Sequence, residues 1–241
     1  MFVAKTRWFF RQEVTRLVKY KIIQISFLLA LMWCGILWLV GSEGAQTFLP
    51  LFLFIDASVM SLMMIGAILF YERQENTLKP LLVTPISVTH VIVIRLLLGV
   101  LIALQSMLIL GLFSRFVLDV QIALWWWVFV VSVIAFAHSV IGFSLTLKVK
   151  DFNALLMSIV FFMFVFGFPT IFFALGVISD TFEPFLFLSP THGAFILIEH
   201  GMTQAVSLWQ LVLALTYLLV VSVGLLKFWI IPNYALLGVK E

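Results

Sequence analysis

Long uncharged apolar runs alternate with short charged segments along this chain. Residues 22–42, 96–114, 120–147, 152–179 and 201–226 contain no Asp, Glu, Lys or Arg, and 44–71 contains only Asp56. A helix needs about 20 predominantly apolar residues to cross a hydrocarbon core, and each run meets that length. Membrane-barrel strands are shorter and alternate polar with apolar residues, whereas 22–40 and 155–168 do not alternate. The pattern predicts an all-α polytopic membrane protein with six transmembrane helices. They fall at about 22–41, 47–71, 90–113, 124–147, 154–178 and 206–230, in a single domain over 1–241.

Composition narrows the class. Apolar residues make up 64% of the 241, and charged residues 10%, against roughly 25% in soluble domains. A soluble exterior needs more polar groups than this, so an ordinary soluble enzyme, a disordered chain and a fibrous protein are excluded. The single cysteine, Cys34, lies in an apolar run, which excludes a disulfide-stapled module.

Charge sets the orientation. With the N-terminus inside, 13 of the 14 Lys and Arg lie at the cytoplasmic side and only Arg115 lies outside. Acids contribute little to this rule, so Glu43, Asp119, Asp180, Glu183 and Glu199 on the outer side do not oppose it. Both termini are therefore expected in the cytoplasm.

The first 21 residues do not read as a signal peptide, because the apolar run that follows is too long and has no small-x-small cleavage site. Over 2–20, Phe2, Val3, Phe9, Phe10, Val14, Leu17 and Tyr20 share one helical face. Lys5, Arg7, Arg11, Arg16 and Lys19 share the other, with Glu13 and Lys21 as exceptions. This predicts an amphipathic interfacial helix with its basic face toward anionic lipid.

Catalytic motifs are missing. No phosphate loop, G-x-S-x-G elbow or H-E-x-x-H pair occurs, so the expectation is a non-enzyme with no bound cofactor or metal. His192, Glu199 and His200 share the last outer loop but read better as solvated loop groups than as metal ligands. No nucleic-acid partner is implied.

The connection over 72–89 carries the most information. It leaves the membrane with Glu72, Arg73 and Glu75 and then turns amphipathic. Thr77 suits a helix cap, Pro80 falls in the first turn, and Pro85 pushes Thr84 out of helical geometry. Leu78, Leu81 and Leu82 then share one face of a one- to two-turn helix. Ser87 is placed to cap the third span.

Glu72, Thr77-Leu78, Leu81-Leu82 and Thr84-Pro85-Ile86-Ser87 resemble the signature between the second and third spans of ABC-2 type permeases, E-x-x-x-G-T-L-x-x-L-L-x-T-P-[ILV]-S. Ser189-Pro190 and the basic N-terminal helix are similar to the same family, and the small size is similar to bacterial drug-export permeases of the fluoroquinolone type. Asn76 replaces the usual glycine, and Pro80 departs from the pattern. The resemblance implies a multi-pass permease of the bacterial plasma membrane, working as a homodimer or as a heterodimer with a related permease. It also implies two copies of an ABC ATPase subunit, with ATP and Mg on that partner. Glu72, Glu75, Thr77, Leu78, Leu81, Leu82, Thr84 and Pro85 would form the ATPase-coupling segment, and membrane lipids the remaining contact. An ATP-independent transporter or channel, or a membrane scaffold or immunity protein, are the alternatives.

Few polar groups lie within the spans. Asp56 is the only carboxylate there, and an ion at that depth costs roughly 2.5–3.5 kcal/mol on insertion scales, so it should face protein or water. Met60, Met63, Met64 and Ala67 follow it at helical spacing. With Phe164, Phe168 and the break at Pro169 in the fifth span, these define an expected substrate pathway. His138 reads as a packed histidine, and Trp125, Trp126 and Trp127 as interfacial anchors. Between Glu183 and Glu199 lie 15 uncharged residues, too short to cross, which predicts a re-entrant outer segment before the last span.

Overall fold

A computed structural model describes residues 2–75, 87–149 and 151–234, the side chains of 2–7, 73 and 74 excepted. The elements among them are helical, with no strand. Helix α1 (Phe2–Lys19) leads through a left-handed turn at Lys21 (φ 59°) into α2 (Ile22–Ile55). A π-helical turn, Asp56–Met60, joins α2 to α3 (Ser61–Gln74). Then come α4 (Val88–Phe116) and α5 (Leu124–Thr146). Helices α6 (Phe152–Phe162) and α7 (Phe168–Ala174) are joined by the π turn Met163–Gly167. A 3-10 turn (Asp180–Phe182), α8 (Glu183–Leu186), α9 (Pro190–Thr203) and α10 (Leu208–Leu225) follow, with a π turn, Leu226–Ile230, after α10.

By length and hydropathy, five of these segments can cross a membrane: Ile22–Glu72, Val88–Phe116, Leu124–Thr146, Phe152–Ala174 and Leu208–Tyr234. The first has 51 residues, and a straight helix of that length would run roughly 75 Å. It does not run straight. Gly41 has φ 72° and ψ −176°, a conformation open in practice to glycine alone. Beyond it the chain doubles back, stacking Trp33 on Phe52 at 4.4 Å and, at the far end, Tyr20 on Tyr71 at 4.3 Å. A loop was expected over 42–46; instead one glycine makes the break, and helix resumes at once.

Local sequence fixes the other starts. The Asp151 carboxylate accepts from the Ala154 amide at 2.8 Å and caps α6. Ser189 caps α9, and Ser207 with Gln210 forms a capping box on α10. Ser87 does occupy the cap position of α4, but its hydroxyl pairs with His90 Nδ1 rather than with the backbone.

Two apolar clusters fill the interior. One is built around Leu37, Leu49, Phe54, Trp127, Phe195 and Leu218. The other, at the α3 end, gathers Phe9, Leu17, Ile65, Phe143 and Tyr234. Phe9 and Leu17 of α1 are thus buried in protein, with Phe10 and Val14 packed against the same cluster. In lipid, helices associate through close packing rather than water exclusion, and the tightest approach is α3 on α5. A Cβ at Gly142 would strike the Leu62 carbonyl oxygen and lie 2.8 Å from Leu62 Cα, so only glycine admits this crossing. The outside is a belt of large apolar side chains, among them Trp38, Leu39, Phe161, Trp125 and Phe228. Water would not tolerate that surface, whereas hydrocarbon would.

Candidate functional site

Where α3 ends, four charged side chains and a tyrosine meet inside the protein. Glu13 (α1), Glu72 (α3), Arg95 (α4) and Tyr234, just beyond the last π turn, are each no more than 1% exposed. Arg95 donates Nη2 to Glu72 Oε1 and Nη1 to the Tyr234 hydroxyl at 2.8 Å, and lies 3.7 Å from Glu13. Arg16, from α1, reaches the same two carboxylates at 3.0 and 2.7 Å. Two guanidiniums and two carboxylates make the cluster formally neutral, as burial requires. Four separate segments of chain are tied at one point.

Sequence reasoning assigned these residues differently. Glu72 was expected at the ATPase contact, yet its side chain points inward and engages Arg16 and Arg95. Arg95 is one of the 13 basic residues that the charge pattern places at the cytoplasmic side. The signal was present: Glu13 breaks the pattern of α1, and Arg95 stands alone inside an apolar run, so each needed a partner.

Glu75 lies one turn further out and is exposed. It accepts from the Tyr20 hydroxyl at 2.8 Å and from Lys19 Nζ at 3.1 Å. Those two bonds, Tyr20 first, hold its carboxyl below the ordinary carboxylate range. Partial burial and the Glu75 carboxylate in turn push the Tyr20 phenol up to about 12. The rest of the expected coupling segment, Thr77, Leu78, Leu81, Leu82, Thr84 and Pro85, lies outside the described residues.

The expected pathway residues divide. Met60, Met63, Met64 and Ala67 do converge, lining with Ile22, Ile25 and Phe152 an apolar cavity of about 130 Å³. Asp56 does not line it. It is 1% exposed, one π turn before Met60, with the Ser106 hydroxyl and Trp33 indole as its polar neighbours. Among the described residues the Asp56 oxygens make no hydrogen bond of good geometry. Phe164 and Phe168 face outward, 67% and 44% exposed, and belong to the apolar exterior rather than to a cavity. Pro169 follows the π turn of α6–α7.

That π turn is where α9 attaches. Three hydroxyls converge on the Phe166 carbonyl: Thr191 at 2.5 Å, Thr170 at 3.2 Å and Ser189 at 3.3 Å. They satisfy backbone that the irregular helix would otherwise strand in an apolar setting. The other end of α9 is held by the indoles of Trp126 and Trp127, which donate to the Leu197 and Ile198 carbonyls at 2.8 and 2.9 Å. Trp126 and Trp127, expected as interfacial anchors, are therefore structural clasps. Trp125, 87% exposed, keeps the anchor position.

His138 is buried, bonded through Nδ1 to the Ile134 carbonyl at 3.0 Å. Among the described residues no three His, Cys, Asp or Glu side chains stand close enough to share a metal ion. No protein-family model matches the chain, and comparison with curated proteins finds no relative.

Proposed function

We propose that this chain is the membrane-spanning permease subunit of an ATP-driven exporter, with both termini in the cytoplasm of a bacterium and six crossings. On this reading Ile22–Glu72 contributes two crossings, separated at Gly41. The subunit pairs with a second permease, and each binds a separate ATPase through the segment 72–89. It has no ATPase site of its own; its cargo is a hydrophobic or amphipathic drug, lipid or peptide.

The buried cluster of Glu13, Arg16, Glu72, Arg95 and Tyr234 is the observation that carries this reading. It stands where the amphipathic connection leaves α3, and it locks that point to α1, α4 and the last helix. A push on the connection is then transmitted to four segments together, which is what an ATP-driven rocking motion requires. The methionine-lined cavity supplies a soft, adaptable surface for apolar cargo. The exposed ridge of Phe161, Phe164, Phe168 and Phe172 is assigned to the second permease copy.

Purifying the tagged chain from its native membranes and identifying what comes with it tests this. An ATP-binding subunit in equal amount is the expected result. Purification of the intact chain without any ATPase would favour the ATP-independent transporter or the scaffold.

A further inference from the structure

At the end of the molecule opposite the Glu13–Arg95 cluster lies a larger cavity, about 510 Å³. Pockets for drug-sized ligands span roughly 300–1,000 Å³. Its walls mix carboxylates with aromatic and aliphatic groups. Asp180, Glu183 and Glu199 supply the acids, and Phe173, Phe195 and Val206 the apolar surface. No Lys or Arg lines it among the described residues; Arg115 belongs to a separate pocket beside Trp125.

The charge in this cavity is uncompensated. The Glu199 carboxylate has no hydrogen bond or ion pair among the described residues, and Glu183 takes one bond, from Gln210 at 2.9 Å. Burial and then the Asp180 charge raise the Glu183 carboxyl; burial and then the Glu183 charge raise that of Glu199. His192 adds an independent sign. It is fully buried between the rings of Phe173 and Phe187, neither ring nitrogen has a hydrogen-bond partner among the described residues, and Nε2 stands 3.8 Å from Glu183 Oε1. Burial lowers its pKa to about 4, so it is neutral near pH 7 and leaves the Glu183 charge unanswered.

The walls of the cavity favour one kind of ligand. A bare metal ion needs several ligands at bonding distance, which these residues do not gather. Phenylalanine side chains beside partly desolvated carboxylates suit an organic ammonium carried on an apolar body. We infer that this cavity is a binding site for an amphipathic organic cation, held by Glu183 and Glu199 against Phe173 and Phe195. The inference stands on the cavity alone and does not depend on ATP-driven transport, since binding is measured without an ATPase.

Ethidium is the probe, titrated by fluorescence onto the full chain in phosphatidylcholine nanodiscs, with empty nanodiscs subtracted. Saturable binding is expected, at least tenfold tighter than that of uncharged phenanthridine. The double variant Glu183→Gln/Glu199→Gln should bind at least tenfold more weakly, while Glu43→Gln, an exposed acid elsewhere, should match wild type. On wild-type protein, affinity should fall as pH drops from 7.5 to 5. The carboxylates then take up protons, Asp180 and the raised Glu183 and Glu199 being the acids that face the site, while His192 stays neutral. Equal binding of the uncharged analogue, full affinity in the double variant, or affinity independent of pH would overturn the proposal. Displacement of ethidium by micromolar Mg²⁺ would also overturn it, making this an inorganic-ion site. The analogue and the pH series use unaltered protein, so a misfolded variant does not blunt the test.

Discussion

Replacing Arg95 with methionine is expected to destabilise the protein by about 3–5 kcal/mol, the range for removing one partner of a buried ion pair. The side chain is fully buried, and its loss strands Glu72 and Glu13, which are 0% and 1% exposed. Arg16 remains within reach of both, but it is 28% exposed at the side chain and cannot replace the bond to Tyr234. The expected readout is a lower unfolding temperature in detergent, with α1 becoming accessible to protease before the rest. The triple variant Arg95→Met/Glu72→Gln/Glu13→Gln should recover much of the loss, because no uncompensated charge remains. Arg95→Met as stable as wild type would show that the cluster does not hold α1 and α3 together.

The other large effect is on assembly. Leu81→Asp or Leu82→Asp is expected to abolish co-purification of the ATPase while leaving membrane insertion and monodispersity intact. An apolar ridge that rests in a groove of a soluble partner loses its contact area when a carboxylate is placed at its centre, and the charge must be desolvated to bind at all. A leucine that sits only in lipid gives a different result, with the partner retained and only interfacial anchoring weakened. Normal co-purification from both variants therefore removes the docking role of 78–84.

Much of the architecture is legible in the spacing of the charges. The spans over 90–113 and 124–147 match α4 and α5 within three residues, because nothing but the apolar run determines them. The break between the first two expected spans was legible as the gap at 42–46, which holds Glu43, but its form was not: the turn is a backbone property of Gly41. The methionine stripe was visible because helical spacing alone puts its residues on one face, and α4 with the first arm of α2 closes the cavity over them. Phe164 and Phe168 were less legible: phenylalanine suits a cavity wall and an apolar exterior equally, and in this chain they are 67% and 44% exposed. The convergence of Glu13, Arg16, Glu72, Arg95 and Tyr234 spans more than two hundred positions of sequence. No local pattern encodes a contact of that range, although Arg95 was conspicuous in its apolar surroundings and Glu13 on an otherwise basic helix. The acidic cavity was hidden in the same way, its carboxylates scattered between the 3-10 turn, α8 and α9.

On the proposed function, the chain couples ATP hydrolysis by a partner to movement of apolar cargo. The direct measurement is ATP hydrolysis by the chain and its co-purified ATPase in proteoliposomes, screened across lipids, peptides and drugs. At least one amphipathic compound is expected to stimulate hydrolysis, and Leu81→Asp to remove the stimulation. Hydrolysis indifferent to the presence of this chain and to every compound would contradict it.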